Sequence, residues 1–191
     1  MYGTIILING HPGVGKLTVA RELVKILPDA KVFDNHLLID AVAALYERDH
    51  PAYYPLRKAL RSAIFNSLSS HERTGSPIYI FTENAATINK VGSAVLSEYL
   101  AFACASSFRL IHVILSCSPS ENKRRLIAPD RSFKTKLVDT DVLMLLRESE
   151  MVEPMGEVEG LTGEIEIETS DLVPAETAAA ILKGFSDLMC K

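Results

Sequence analysis

Apolar residues along the chain fall into short blocks separated by longer stretches at helical spacing. TIILIN (4–9) is an unbroken, Ile-rich block of the kind expected for a buried parallel strand. KVFD (31–34), IYIFT (78–82), FRLIHVILSC (108–117) and EIEIET (164–169) read as four further strands. Between them, KLTVARELVKIL (16–27), HLLIDAVAALYERD (36–49), LRKALRSAIFNSLSSHE (56–72), NKVGSAVLSEYLAFACASS (89–107), PSENKRRLI (119–127), DTDVLMLLRESE (139–150) and PAETAAAILKGFSDLM (174–189) read as helices. DHPAYYP (49–55) interrupts the second and third, and Pro119 suits the first turn of the fifth. TGSP, APDRSFK and the acidic, Gly-containing segment 151–163 read as loops.

Strands that alternate with helices predict an α/β fold with a parallel sheet covered on both faces. The length of 191 residues suits one domain spanning 1–191. The two helices between the second and third strands exceed a simple crossover, which marks 36–74 as a lid or an acceptor-binding subregion. Neither internal repeats nor low-complexity stretches are visible.

Composition narrows the class only a little. Hydrophobic residues make up 48% and charged residues 23%, ordinary for a soluble globular protein. A net charge of −4 argues against a broad nucleic-acid surface. Cys104, Cys117 and Cys190 are odd in number and lack metal-ligand spacing, so reduced thiols in the cytoplasm are expected. The first strand starts almost at Met1, so no signal peptide is expected. The longest apolar stretch, AVLSEYLAFACASSF, is broken by Glu98 and several serines, so no membrane span is expected.

The sharpest chemical signal is GHPGVGK, between the first strand and the first helix. Gly10, Gly13, Gly15 and Lys16 are spaced as in a loop whose backbone N–H groups cradle phosphate oxygens. His11, Pro12 and Val14 complete the cradle, the helix N-terminus adds positive potential, and Lys16 reaches the terminal phosphates. Leu17 stands where a Mg²⁺-binding hydroxyl is usual. Thr18 cannot simply replace it, because one helical step turns its side chain by about 100°. Mg²⁺ is therefore expected to be held by ATP and water, with a carboxylate such as Asp34 or Glu83 as a further ligand.

Four segments, GHPGVGKLTVAREL, FDNHLLID, DRSFKTKLVD and IEIETSDLVPAETAAAI, give the chain a resemblance to the P-loop small-molecule kinases. That group includes adenylate kinase, shikimate kinase and gluconate kinase; the likeness is strongest to shikimate kinase-like P-loop ATPases. It covers nearly the whole chain and implies a P-loop NTPase fold, a five-stranded parallel sheet in the order 2-3-1-4-5 flanked by helices. Adenylate kinase-like loops also lack a hydroxyl after the lysine and carry Thr next, which implies phosphate contact by Thr18. After the third strand this chain reads TENAAT, without the DGFPR-like segment of adenylate kinases or the Gly-rich acceptor segment of shikimate kinases. The acceptor is therefore not implied.

Ligands of open parallel sheets sit at the carboxyl ends of the strands. Asp34 and His36 end the second strand; the resemblance implies a carboxylate there that orients or deprotonates an acceptor hydroxyl, with His36 as base or contact. Simple capping of the next helix by Asp34 or Asn35 is the alternative. Glu83, at the end of the third strand, either polarises Mg²⁺-bound water or is a solvated carboxylate. Arg57 and Arg61, four apart, either grip an anionic substrate or form a solvated face. Arg124, Arg125, Arg131, Lys134 and Lys136 cluster around a Pro-containing loop, where the resemblance implies a basic lid over 124–138, with Arg125 and Arg131 neutralising charge on the transferred group. The bland alternative is a basic surface beside acidic neighbours. Thr169–Val173 line the adenine pocket by resemblance. The expected function is ATP- and Mg²⁺-dependent phosphoryl transfer to a small-molecule acceptor. The competing reading is a nucleotide-binding regulatory protein or weak NTPase with no acceptor.

Overall fold

Strand β1 (Gly3–Asn9) is buried along its whole length, because it lies at the centre of the sheet with helices on both faces. A computed structural model describes residues 2–70, 75–128 and 137–190 of the chain. The other strands are β2 (Lys31–Asp34), β3 (Ile78–Thr82), β4 (Phe108–Ser116) and β5 (Gly163–Glu168). They form one parallel sheet in the order β2-β3-β1-β4-β5, as the resemblance implied. The helices are α1 (Lys16–Ile26), α2 (His36–Ala43), α3 (Tyr53–Ser70), α4 (Lys90–Ala105), α5 (Pro119–Leu126), α6 (Thr140–Ser149) and α7 (Pro174–Met189).

Side-chain alternation divides the core in two. Ile6 and Ile8 of β1 join Val19 and Leu23 of α1 and Ile181 of α7 on one face. Ile5 and Leu7 join Phe65 of α3 and Leu96, Tyr99 and Phe102 of α4 on the other. The parallel register aligns the strand ends that carry chemistry: Asp34 pairs with Thr82, and Thr82 with Ile8.

Two helices differ from expectation. The helix expected over 36–49 ends at Ala43. Val42 is buried, but none of residues 43–52 is, so no core contact supports further turns. The chain tightens there, with Leu45 N–H donating to the Val42 carbonyl at 3.0 Å. The next helix begins at Tyr53 instead of Leu56. Pro55 then falls in the first turn, where its missing N–H costs nothing. The expected end at 72 lies outside the described residues, as do Arg131, Lys134, Lys136 and most of the 124–138 segment. Among the described residues, no helix is long and apolar enough to cross a membrane.

Candidate active site

The loop from Gly10 to Gly15 is shaped by what its carbonyls bind. Lys16 Nζ donates to the Gly10 and His11 carbonyls at 2.5 and 2.9 Å. Asn122 Nδ2 donates to the Pro12 carbonyl at 2.8 Å, and Arg125 donates to the Val14 carbonyl at 3.2 Å. In a trans peptide the N–H points opposite to the C=O. The Gly13 and Gly15 N–H groups therefore turn away from Asn122 and Arg125. Helix α1 follows with no side-chain cap, the arrangement that leaves first-turn N–H groups for an anion. Two glycines are required by shape. Gly10 has φ 146°, and a Cβ there would meet the Leu115 carbonyl oxygen at 2.4 Å. Gly13 has φ 90°, and its Cβ would meet Asn122 Nδ2 at 2.7 Å. The His11 ring is neutral at pH 7: burial, with Arg147 and Lys16 nearby, lowers its pKa to about 4.

The loop separates two cavities, and Gly13, Gly15 and Thr18 line both. The larger, about 480 Å³, lies toward α5 and the segment after β5, where Val14, Arg125, Thr169 and Val173 contribute to its wall. The smaller, about 220 Å³, lies toward α2 and α3 and gathers Lys16, Leu17, Asp34, His36, Arg57 and Glu83. Of the residues singled out in the sequence, Lys16, Asp34, His36 and Glu83 thus share one cavity. Arg125 stands in the other, its guanidinium donating to Thr169 Oγ1 and the Thr169 carbonyl at 2.9 and 2.6 Å.

Asp34 Oδ1 accepts from the His36 N–H at 3.2 Å and from Thr82 Oγ1 at 3.4 Å. Asp34, not Asn35, therefore reaches the first turn of α2. Asn35 instead accepts from Arg57 at 3.0 Å. Glu83 is not a solvated loop carboxylate; it is 2% exposed. Arg61 lies 3.4 Å from its Oε1, Arg57 4.0 Å from its Oε2, and Tyr99 Oη donates to it at 3.3 Å. Burial pushes the Glu83 carboxyl above its ordinary pKa, against the opposing pull of Arg61, Arg57, Tyr99 and Lys16. Arg57 and Arg61 share one face of α3, as their spacing suggested, and both reach Glu83, so they form no solvated face. Arg61 is 2% exposed and also binds Glu98 at 2.5 Å, so it faces the interior, while Arg57 lines the cavity.

Sequence reasoning passed over Asn9, His112, Asn122 and Arg147. Arg147 donates to Asn122 Oδ1 at 2.8 Å and so steadies the side chain that holds Pro12. The available signal was polarity inside apolar runs: Asn9 closes TIILIN and His112 interrupts LIHVIL, and both are fully buried. Among the described residues, no cluster of three His, Cys, Asp or Glu side chains is gathered to hold a metal ion.

A parallel sheet in this order, with a phosphate-binding loop joining its central strand to α1, defines the fold of the P-loop small-molecule kinases. Residues 6–141 match the model of the AAA domain family, and the chain belongs to that family. Solved structures share its fold. One is the shikimate kinase of Acinetobacter baumannii in complex with shikimate, 19% identical over 100% of this chain and 97% of the other, TM-score 0.58. The Mycobacterium tuberculosis APS kinase CysC, in complex with AMPPNP and APS, is 15% identical over 100% and 99%, TM-score 0.58. The tunicamycin resistance protein of Deinococcus radiodurans is 22% identical over 96% and 95%, TM-score 0.55. No curated protein matches the chain.

Proposed function

We propose that the protein is a cytoplasmic, ATP-dependent kinase that phosphorylates a hydroxyl of a small-molecule acceptor. One observation carries this reading: Lys16, Asp34, Arg57 and Glu83 converge in a cavity that shares the phosphate loop as a wall with a second, larger cavity. The larger one suits a nucleoside, with Thr169–Val173 against the base. The phosphates would lie on the Gly10–Thr18 loop, held by inward N–H groups and Lys16. Mg²⁺, which supplies charge neutralisation when bound, would rest on the nucleotide's phosphates and water, with Asp34 or Glu83 nearby; Leu17 offers it nothing.

Phosphoryl transfer needs positioning and charge neutralisation more than covalent help. Asp34 would hold the acceptor hydroxyl and take its proton as the new O–P bond forms and the bond to the leaving diphosphate breaks. His36 would contact the acceptor, and Arg57 would bind an anionic group on it. Arg125, beside the base cavity, and Arg131 would neutralise developing charge as the 124–138 lid closes. The 36–74 subregion would select the acceptor. The second reading, a regulatory protein or weak NTPase, is favoured by Leu17 and by Glu83, whose charge is already met by Arg57 and Arg61.

The test is thermal melting with ATP and Mg²⁺, followed by a metabolite screen for acceptor-dependent ADP formation. Binding to the native state alone adds about 2.7 kcal/mol at a hundredfold excess over Kd. Lys16→Ala should remove most of that shift; equal shifts in both proteins would refute the role of the loop. ADP formation indifferent to every acceptor would favour the second reading.

A further inference from the structure

We infer that His112, acting through Asn9, is a positioning residue that sets the geometry of the phosphate loop. The inference rests on the loop binding nucleotide, as proposed above. Asn9 ends β1 with its side chain wholly buried. Its Oδ1 accepts from the Gly10 and Ala85 N–H groups, both at 2.9 Å, and its Nδ2 donates to the Ala85 carbonyl at 2.8 Å. The amide orientation is thereby settled, because the reverse would set acceptor against acceptor and donor against donor.

The remaining Nδ2 hydrogen faces His112 Nε2 at 3.2 Å. That ring nitrogen must therefore be an unprotonated acceptor. The ring proton sits on Nδ1, 2.7 Å from Glu164 Oε1. The Glu164 carboxylate also accepts from the Met155 and Gly156 N–H groups at 2.9 and 2.8 Å. One polar line thus crosses the sheet from the loop's first amide to the segment before β5. Because Asn9 also grips Ala85, the same side chain ties the start of the phosphate loop to the stretch carrying Glu83.

A histidine buried in the apolar run LIHVIL is costly unless its nitrogens are used, and here both are. The neutral ring is part of the arrangement. A second ring proton would set an N–H against the Asn9 amide, two donors with no acceptor between them. Asn9 would have to turn, giving up the Gly10 and Ala85 bonds. Burial opposes that ionisation; Glu164 and Glu166, both on β5, are the charged groups that favour it.

MgATP affinity, measured by calorimetry from pH 5 to 8 on the whole chain, tests this. His112→Phe should bind about tenfold more weakly at pH 8, the equivalent of one buried hydrogen bond, while still melting cooperatively. Glu164→Gln removes a carboxylate that favours ring protonation, so its loss of affinity on acidification should begin at lower pH than in the wild type. Asn9→Asp can accept from a protonated Nε2 and should gain affinity on acidification relative to the wild type. Protonation of ATP itself is common to all and cancels. Superimposable pH profiles, or unchanged affinity in His112→Phe, would overturn the inference. If the wild type binds no MgATP, the nucleotide reading fails separately, and NMR of the free protein decides the positioning role. The Gly10 and Ala85 amide signals should titrate with His112 and stop doing so in His112→Phe; amides that ignore the ring's titration would overturn it.

Discussion

Replacing Arg61 by Met asks what the buried arginine does for Glu83. Arg61 is almost fully enclosed, with one guanidinium nitrogen 3.4 Å from Glu83 and another 2.5 Å from Glu98. Met matches much of its apolar length but leaves Glu83 with Arg57 at 4.0 Å and the Tyr99 hydroxyl at 3.3 Å. Removing one partner of a buried ion pair costs about 3–5 kcal/mol, because the other charge is left uncompensated. Glu83 can escape that cost by taking up a proton. Holding it protonated costs about 1.36 kcal/mol for each pH unit above its ordinary value of 4.5, so at pH 7.5 about 4 kcal/mol. The two routes give similar losses.

The sign follows from proton counting. Glu83 binds its proton more tightly folded than unfolded, so stability falls as pH rises from 4.5 to the folded pKa. Arg61→Met raises that folded pKa further and extends the fall to higher pH. The variant should therefore melt near the wild type at pH 4.5–5 and at most about 8–16 °C below it at pH 7.5, because the wild type shares part of the fall, taking roughly 2–4 °C per kcal/mol for a chain of this size. Arg61→Met combined with Glu83→Gln should recover most of the difference and flatten its pH dependence. A loss of equal size at pH 5 and 7.5, or no recovery in the double variant, would mean that Arg61 contributes packing instead of charge.

Two further outcomes are expected. Asp34→Asn keeps an oxygen for the His36 N–H and Thr82 hydroxyl, so ATP affinity should change by less than tenfold while transfer to the acceptor falls by about 10²–10⁴; unaltered turnover in a folded variant would shift the catalytic role to Glu83. Leu17→Ser should leave nucleotide binding and its Mg²⁺ dependence intact in a metal-titrated binding assay, because the ion is carried by phosphates and water. A large gain in Mg²⁺ affinity would identify Leu17 as a defect of the site and favour the regulatory reading.

How far the sequence reaches depends on whether a feature is local. Strands such as β1 were legible because a parallel strand covered on both faces carries a continuous apolar run, as the fully buried β1 does from Ile5 to Ile8. GHPGVGK was legible because its glycines answer to local backbone shape. The helix expected over 36–49 was overextended because LLIDAVAAL has helical spacing wherever it sits, and only the tertiary structure shows that nothing covers it beyond Val42. The strand order came from resemblance, since apolar runs do not say which neighbours they pair with. Arg57 and Arg61 show the same limit: their spacing places them on one face of α3, but only the fold brings that face to Glu83, 22 residues beyond Arg61, and Arg61 also to Glu98, 37 beyond it.

The residues that escaped sequence reasoning have a common physical character. Asn9, His112, Asn122 and Arg147 form no motif; Asn9, Asn122 and Arg147 each hold a backbone group of another segment, and His112 holds the Asn9 side chain. A phosphate-binding loop of several N–H groups works only if those groups keep their directions when the ligand is absent, and glycines alone make a loop permissive, not fixed. Here the carbonyls are held from outside, Pro12 by Asn122, Val14 by Arg125, and Gly10 and His11 by Lys16, while Asn9 holds the first amide. The permissive residues lie together in the sequence and the fixing residues come from β1, α1, α5 and, through Asn122, α6. Lys16 apart, the part of the site that a motif identifies is therefore the part that needs freedom; the rest of what supplies rigidity becomes visible only once the chain is folded.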